Sequence, residues 1–322
     1  MTRMGSTVKA QFPAEQTQEG QFVRQEDAFR RWVTSDGSSE FPAVAGRYHL
    51  YVSLACPWAH RTIIVRKLMH LEEAIGMSVV DPVRDEEHGW AFRLVPGATG
   101  DPVNGFEYLR EAYTATDPSY AARVTVPVLW DKQTHQIVSN SDDDIMRMFE
   151  TSFRGAAGGA DVVDLYPAQH REEIESLNEW IYQTFNNGVY RAGFATSQAA
   201  YEDAARQVFK TLDALERRLA QRRYLIAGHP VETDWRTFVT LVRFDAVYYG
   251  HFKCNVRRIV DYSNLWGYLR DLYQYRGAGE TVNLDHIKRH YYYTHDDINP
   301  TRIVPIGPEL DFDSPHGRER LS

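Results

Sequence analysis

Cysteine is almost absent from this chain: Cys56 and Cys254 are the only two among 322 residues. Two cysteines supply neither a disulfide framework nor a cysteine-based zinc site, and such sparing use suits a reducing compartment. An excess of basic charge is missing too. The formal net charge is −8, which argues against a nucleic-acid partner, because phosphate binding needs a concentrated basic face. The short cluster Arg217-Arg218 and Arg222-Arg223 fits the solvated face of a single helix. No apolar run approaches the roughly 20 residues of a membrane span, and Met1 to Asp27 is polar, without the apolar core of a signal peptide. These absences point to a soluble, cytoplasmic protein with neither a membrane nor a nucleic-acid partner. The remaining composition, 43% hydrophobic and 25% charged, is that of a globular chain long enough for two domains.

Residues 1–45 are polar and irregular, and read as an N-terminal extension that wraps a neighbouring surface or stays partly mobile. Arg47 to Ser53 alternates and is rich in β-formers, a strand pattern. Cys56 follows at a turn, and Pro57 suits a first helical position, where its missing N–H costs nothing; the helix runs to about His70. Met77 to Val80 reads as a second strand. Arg84 to Pro118 is punctuated by Gly and Pro as a long, partly irregular insertion. Val124 to Trp130 and Gln136 to Val138 read as a hairpin, the first strand carrying a proline, and a helix follows from Ser141 to Phe149. Gly155 to Gly159 is the linker candidate. Beyond it the periodicity is helical: Ile174, Leu177, Ile181 and Phe185 recur at steps of three and four, as do Tyr201, Ala204, Val208, Leu212, Leu215 and Leu219 behind a Ser197 cap. Trp235 to Tyr249 and Leu265 to Tyr275 are further helices. The order predicts an N-terminal extension (1–45), an α/β domain (46–152), a linker (153–168) and an all-α domain with a C-terminal extension (169–322).

Three places carry chemistry. A thiol at a helix N-terminus faces unpaired N–H groups and the positive end of the dipole, which favour the reactive thiolate. Cys56 is therefore the candidate nucleophile. Ala59 stands where a dithiol enzyme carries its second cysteine, so a mixed disulfide on Cys56 must be released by a second small thiol. Pro127 after Val126 cannot donate to a strand ladder. It fits either an edge position or the cis-proline of a thioredoxin-like domain, where the preceding backbone pairs with a bound thiol. Ser139-Asn-Ser-Asp-Asp-Asp144 fits a capped helix start with acids at the dipole, or a site where hydroxyl and N–H groups take a ligand carboxylate while an acid takes its ammonium. Cys254 reads as structural. His286, His290 and His295 match no standard metal spacing, so no metal site is expected.

The run Gly46-Arg-Tyr-His-Leu-Tyr-Val-Ser-Leu-Ala-Cys-Pro-Trp-Ala-His-Arg61 closely resembles the glutathionyl-hydroquinone reductases, the Xi class of the glutathione transferase superfamily. Thr125-Val-Pro-Val-Leu-Trp-Asp131, Asp164-Leu-Tyr-Pro167, Asn186-Asn-Gly-Val-Tyr190, Arg243 to Asn255, and Ile287-Lys-Arg-His-Tyr-Tyr292 with Ile298-Asn-Pro300 extend the match in order over residues 22–308. The resemblance implies a glutathione transferase fold, with a thioredoxin-like α/β N-terminal domain and an all-α C-terminal domain, and a homodimer. It implies glutathione as cosubstrate and quinone thioethers as substrates. Cys56 would attack the glutathione sulfur and expel the hydroquinone, and a second glutathione would free Cys56. By motif position, Trp90, Arg123, Val124, Thr125, Val126, Pro127, Ser141 and Asp142 fall where the family binds glutathione. Tyr190 falls on the family's proton-donating tyrosine, and Tyr248 and Tyr291 on tyrosines near the thiol. A phenol suits that task, since breaking an aryl carbon–sulfur bond needs a proton delivered to the ring carbon.

Two departures stand out. The family has an acid followed by serine where this chain has Ser141-Asp142, which leaves open whether glutathione or another low-molecular-weight thiol is used. At the start of the Trp235 helix the family's capping threonine is replaced by Val231, leaving Thr233 or Asp234 to cap. A general glutathione-dependent lyase or deglutathionylase is the alternative enzyme, and a non-catalytic ligand-binding protein on the same fold the alternative from another class. A conjugating transferase fits less well, because Cys56 would trap the thiol covalently.

Overall fold

The computed structural model describes residues 12–156 and 162–321. Met1 to Gln11, and positions 157–159 of the glycine stretch read as linker, lie outside the described residues. Two short parallel strands, β1 (Val33–Thr34) and β2 (Phe41–Pro42), precede the main sheet. That sheet contains β3 (Tyr48–Val52), and helix α1 (Pro57–Leu68) carries the chain across to β4 (Gly76–Val79), which pairs parallel to β3. Helix α2 (Arg110–Thr116) interrupts the long insertion, and the hairpin β5 (Val128–Asp131) and β6 (Gln136–Ser139) completes a sheet of order β4-β3-β5-β6. Every residue of β3 and β5 is buried, as expected of strands covered on both faces. One expectation is corrected here. The strand expected from Val124 begins only at Val128, because Pro127 has no N–H for the ladder and holds the preceding residues out of it.

Helix α3 (Asp142–Thr151) starts where Ser141 Oγ accepts the Asp144 N–H at 3.3 Å, and it packs beside α1. The second half is helical: α4 (Arg171–Ile181), α5 (Gly188–Gly193), α6 (Gln198–Leu219), α7 (Glu232–Arg243), α8 (Ser263–Gln274) and α9 (Leu284–Thr294). Ser197 caps α6 through the Ala200 N–H, as its position predicts. Single π-turns, Tyr182–Asn186 and Phe244–Tyr248, follow α4 and α7. Each widened turn re-aims the side chains beyond it, a device that recurs at functional sites. No helix among the described residues is long and apolar enough to cross a membrane.

The extension is a strap across both halves. Arg31 N–H donates to Val138 O at 3.0 Å, and Phe29 N–H donates to Asn140 Oδ1 at 2.8 Å, beside β6. Further back, Gln16 Nε2 donates to Phe194 O at 2.9 Å and Thr196 N–H to Gly20 O at 3.0 Å, tying it to the helical half. At Gly20 the backbone has φ 82°, and a Cβ would stand 2.8 Å from Thr196 Oγ1, so both conformation and space require glycine there.

Val231 stands at the N-cap of α7 with no side-chain acceptor, and Asp234 supplies the missing polarity. Its carboxylate accepts the N–H groups of Val231 and Leu225, both at 2.9 Å, and the Tyr268 hydroxyl at 2.6 Å. Burial raises this carboxyl to about 6, against the pull of those bonds. Asp234→Ala leaves three buried donors without an acceptor and should cost about 3 kcal/mol, at roughly 1 kcal/mol or more for each. Urea denaturation should show the midpoint falling accordingly, and an unchanged midpoint would mean that water replaces the carboxylate without cost.

Candidate active site

Cys56 is the N-cap of α1, and Pro57 is its first residue. The Cys56 sulfur lies 3.6 Å from Val126 O, and the Val126–Pro127 peptide is cis. Of the two readings left open for Pro127, the geometry matches the thioredoxin-like one: its peptide abuts the cysteine before β5 begins. Tyr113 fastens this segment from behind, its hydroxyl donating to Thr125 O at 2.9 Å.

Cys56 opens onto a cavity, and so do the other positions singled out there by motif: Trp90, Arg123, Val124, Thr125 and Val126 on one side, Tyr190 and Tyr291 on the other. Tyr248 is fully buried and reaches the cavity only through a neighbour. Its hydroxyl is 3.1 Å from that of Tyr291, which in turn makes a very short contact with the Tyr190 hydroxyl. Burial raises all three phenols, Tyr190 and Tyr291 well above the ordinary range and Tyr248 to about 12. At neutral pH they are hydroxyls that can give a proton. Pro127, Ser141 and Asp142 do not line the cavity. Ser141 Oγ accepts the Asp144 N–H, and Asp142 Oδ2 accepts from Arg61 Nη1 at 2.8 Å.

The sequence reading missed the wall contributed by the strap and by α9. Phe12, Phe22 and Arg24 close one side, and Arg84, His290 and His295 line another. Only long-range pairing puts them there, so local periodicity could not reveal it. Arg123 Nη2 pairs with Glu15 Oε1 at 2.9 Å. The histidines serve as tethers: His290 Nδ1 bonds Pro82 O at 2.8 Å, His286 Nε2 bonds Pro96 O at 2.7 Å, and His251 Nε2 meets His295 Nδ1 at 3.2 Å. Among the described residues no group of three or more His, Cys, Asp or Glu is arranged to hold a metal ion. Cys254 is fully buried, and its thiol is pushed up to about 12 by that burial.

Comparison with known proteins matches the description "Glutathione S-transferase, N-terminal domain" to residues 55–152 and "Glutathione S-transferase, C-terminal domain" to residues 198–271. The chain is 54% identical over 307 residues to the glutathionyl-hydroquinone reductase YqjG of Escherichia coli, covering 93% of each chain. The chain belongs to the Xi-class, glutathionyl-hydroquinone reductase family of glutathione transferases. Against PcpF of Sphingobium chlorophenolicum, another glutathionyl-hydroquinone reductase, identity is 47% over 289 residues and 90% of each chain. The glutathione-bound YqjG structure superposes with TM-score 0.87 at 54% identity, over 91% of this chain and 96% of that one. A Xi-class transferase from Natrialba magadii gives 0.88 at 52%, over 91% and 89%. The thioredoxin-like domain and all-α domain expected of a Xi-class protein are thus both present.

At Cys56 the electrostatics differ from the sequence expectation of a lowered pKa. Burial pushes the Cys56 thiol up, and this outweighs the Ala59 N–H, the Arg24 and Arg243 guanidiniums and the Trp58 N–H, which all pull it down. The helix N-terminus acts as expected, but desolvation of the anion is larger. Iodoacetamide alkylation of Cys56 should therefore quicken through an apparent pKa above that of free cysteine. A midpoint below the free value would show that the helix end and the guanidiniums prevail.

Proposed function

We propose that this protein is a glutathione-dependent reductase of glutathionyl-hydroquinones, acting as a homodimer and passing through a mixed disulfide on Cys56. The observation that carries the reading is that the Cys56 sulfur and the Tyr190–Tyr291 hydroxyl pair face one cavity. A nucleophile and a proton source share the space where an aryl thioether would sit, and the names of the relatives point to the same chemistry.

In this mechanism the Cys56 thiolate attacks the glutathione sulfur of the thioether. A sulfur–sulfur bond forms, the aryl carbon–sulfur bond breaks, and its electron pair stays on the ring carbon. Tyr190 delivers a proton there, with Tyr291 and Tyr248 hydrogen-bonded behind it to spread the charge left on the phenolate. Hydroquinone leaves reduced. A second glutathione, as thiolate, attacks the glutathione sulfur of the mixed disulfide; Cys56 departs as thiolate, oxidised glutathione is released, and the proton of that second thiol returns to the tyrosines. Trp90 and residues Arg123 to Val126 hold the tripeptide against Cys56 as an added strand.

Cys56→Ser should abolish reduction of a glutathionyl-hydroquinone while leaving the melting temperature near that of the wild type. Residual turnover within about tenfold, only about 1.4 kcal/mol of barrier, would rule out covalent catalysis by this residue. The proton-donor role has a finer readout. Tyr190→Phe should slow hydroquinone release yet spare the reduction of a simple mixed disulfide, whose thiolate leaves unprotonated. Equal losses on the two substrates would make Tyr190 a wall of the cavity and nothing more.

A further inference from the structure

One guanidinium in the cavity wall has no task in the chemistry above. Arg84, in the insertion between β4 and α2, lines the cavity and lies over two rings, 5.6 Å from the centre of Phe12 and 5.7 Å from that of Trp90. Its Nε is buried without a hydrogen-bond partner, and among the described residues it has no ion pair within 4 Å. The carboxylate that acts on it, Glu15, is paired with Arg123 instead: Oε1 accepts from Arg123 Nη2 and from the Gln25 N–H, both at 2.9 Å. Burial, and after it the Arg123 charge, push the Arg84 guanidinium down to about 10, so it remains a cation at neutral pH. A charge desolvated in this way gains from an anion brought to it.

Arg84 stands toward the tyrosines, where the aryl group of a thioether would lie. The Trp90 ring that it covers stacks on His290, centres 5.0 Å apart, and His290 is 5.2 Å from the ring of Tyr291. His295 flanks Tyr291 at 5.4 Å. The Arg84 charge reaches both imidazoles. Burial first, and then that charge, push His290 down to about 3, while burial, the neighbouring histidines and Arg84 hold His295 well below the ordinary range. Both rings are neutral and offer a ligand no competing charge. Among the described residues, none that lines the cavity is an aspartate or glutamate. An anionic substituent on the ring that takes its proton from Tyr190 therefore finds a free guanidinium and meets no like charge in the wall.

We propose that Arg84 is a specificity determinant that pairs with a carboxylate on the aromatic half of the substrate, so that the preferred thioethers are glutathionyl-hydroquinones bearing an acidic ring substituent. This rests on the reductase reading and deepens it by naming the substrate class. A carboxylate satisfies the unpaired guanidinium with two parallel hydrogen bonds. A plain hydroquinone leaves it desolvated and unpaired, and is discriminated against for that reason. Arg84 touches no bond that breaks; it selects the ring and orients it against Cys56 and Tyr190.

The test compares kcat/KM for two glutathionyl-hydroquinones, one plain and one with a ring carboxylate, on the wild type, Arg84→Met and Arg84→Lys. The wild type should favour the carboxylated thioether. Arg84→Met should lose about tenfold more with it than with the plain one, and Arg84→Lys should keep most of the preference. Equal losses with the two thioethers would make Arg84 a support for Trp90 and Phe12, and would overturn the proposal. So would slower formation of the Cys56 mixed disulfide from glutathione disulfide, but not from γ-glutamylcysteine disulfide, in Arg84→Met, since that assigns Arg84 to the glycyl carboxylate. A second arm follows tryptophan fluorescence while 2,5-dihydroxybenzoate or hydroquinone is titrated into the wild type and Arg84→Met. The substitution should weaken binding of the benzoate about tenfold more than that of hydroquinone. Equal weakening, or none, would overturn the proposal whether or not the enzyme turns over. A wild type that binds the benzoate in this Arg84-dependent way yet reduces neither thioether would count against the reductase reading alone.

Discussion

The site is held in place by one buried guanidinium. Arg243, at the end of α7, has no exposed surface, and it reaches across to the turn that carries Cys56. Its Nε donates to Ala55 O at 3.0 Å, Nη2 to Leu54 O at 3.1 Å, and Nη1 to Val239 O at 2.8 Å and His60 Nδ1 at 2.9 Å. No carboxylate is among those acceptors, so the charge is compensated by backbone dipoles and an imidazole. A buried cation is tolerable only when its donors are satisfied in this way. The arrangement also fixes the imidazole. Because Arg243 can only donate, His60 Nδ1 must accept, and Nε2 carries the proton that it gives to Thr281 Oγ1 at 2.7 Å. Burial and the Arg243 charge keep His60 neutral, and one clamp thereby joins the helical half, the first turn of α1 and the 275–281 segment.

The tyrosines depend on the same frame. Tyr248 ends the π-turn that follows α7, and Tyr190 lies on α5, the short helix just after the π-turn that follows α4. The π-turn after α4 also positions Asn186, which accepts from Arg61 at 2.9 Å and donates to Arg236 O at 2.9 Å and Thr240 Oγ1 at 2.7 Å. Two helices thus deviate from regular winding at the level of the thiol, and phenols from three elements converge there.

Much of this was legible in the sequence because the governing physics is local. Alternation marked β3, a three-and-four stripe marked α4 and α6, and Pro57 after Cys56 marked the start of α1. Cys56, Val126, Tyr190 and Tyr291, singled out by motif, line one cavity, whereas Pro127 and Tyr248 stand behind it. What was not legible depends on distant partners. The strap has no periodicity, since its hydrogen bonds go to β6 and to Phe194, so neither its path nor the exposure of Arg24 to the thiol could be read from residues 12–42. The burial that opposes ionisation of Cys56 was hidden for a related reason: the helix N-terminus is visible in a sequence, but the number of side chains that pack over the sulfur is not.

The strap and the turn that carries Cys56 are anchored in different ways. Cys56 sits on the β3–α1 turn, which Arg243 ties to the helical half. The strap is fastened by backbone hydrogen bonds and also by side chains, among them Gln16, Gln25 and Arg30. Because the strap supplies Phe12, Phe22 and Arg24 to the cavity wall, the surroundings of the thiol depend on a segment that lies outside the main sheet and its helices.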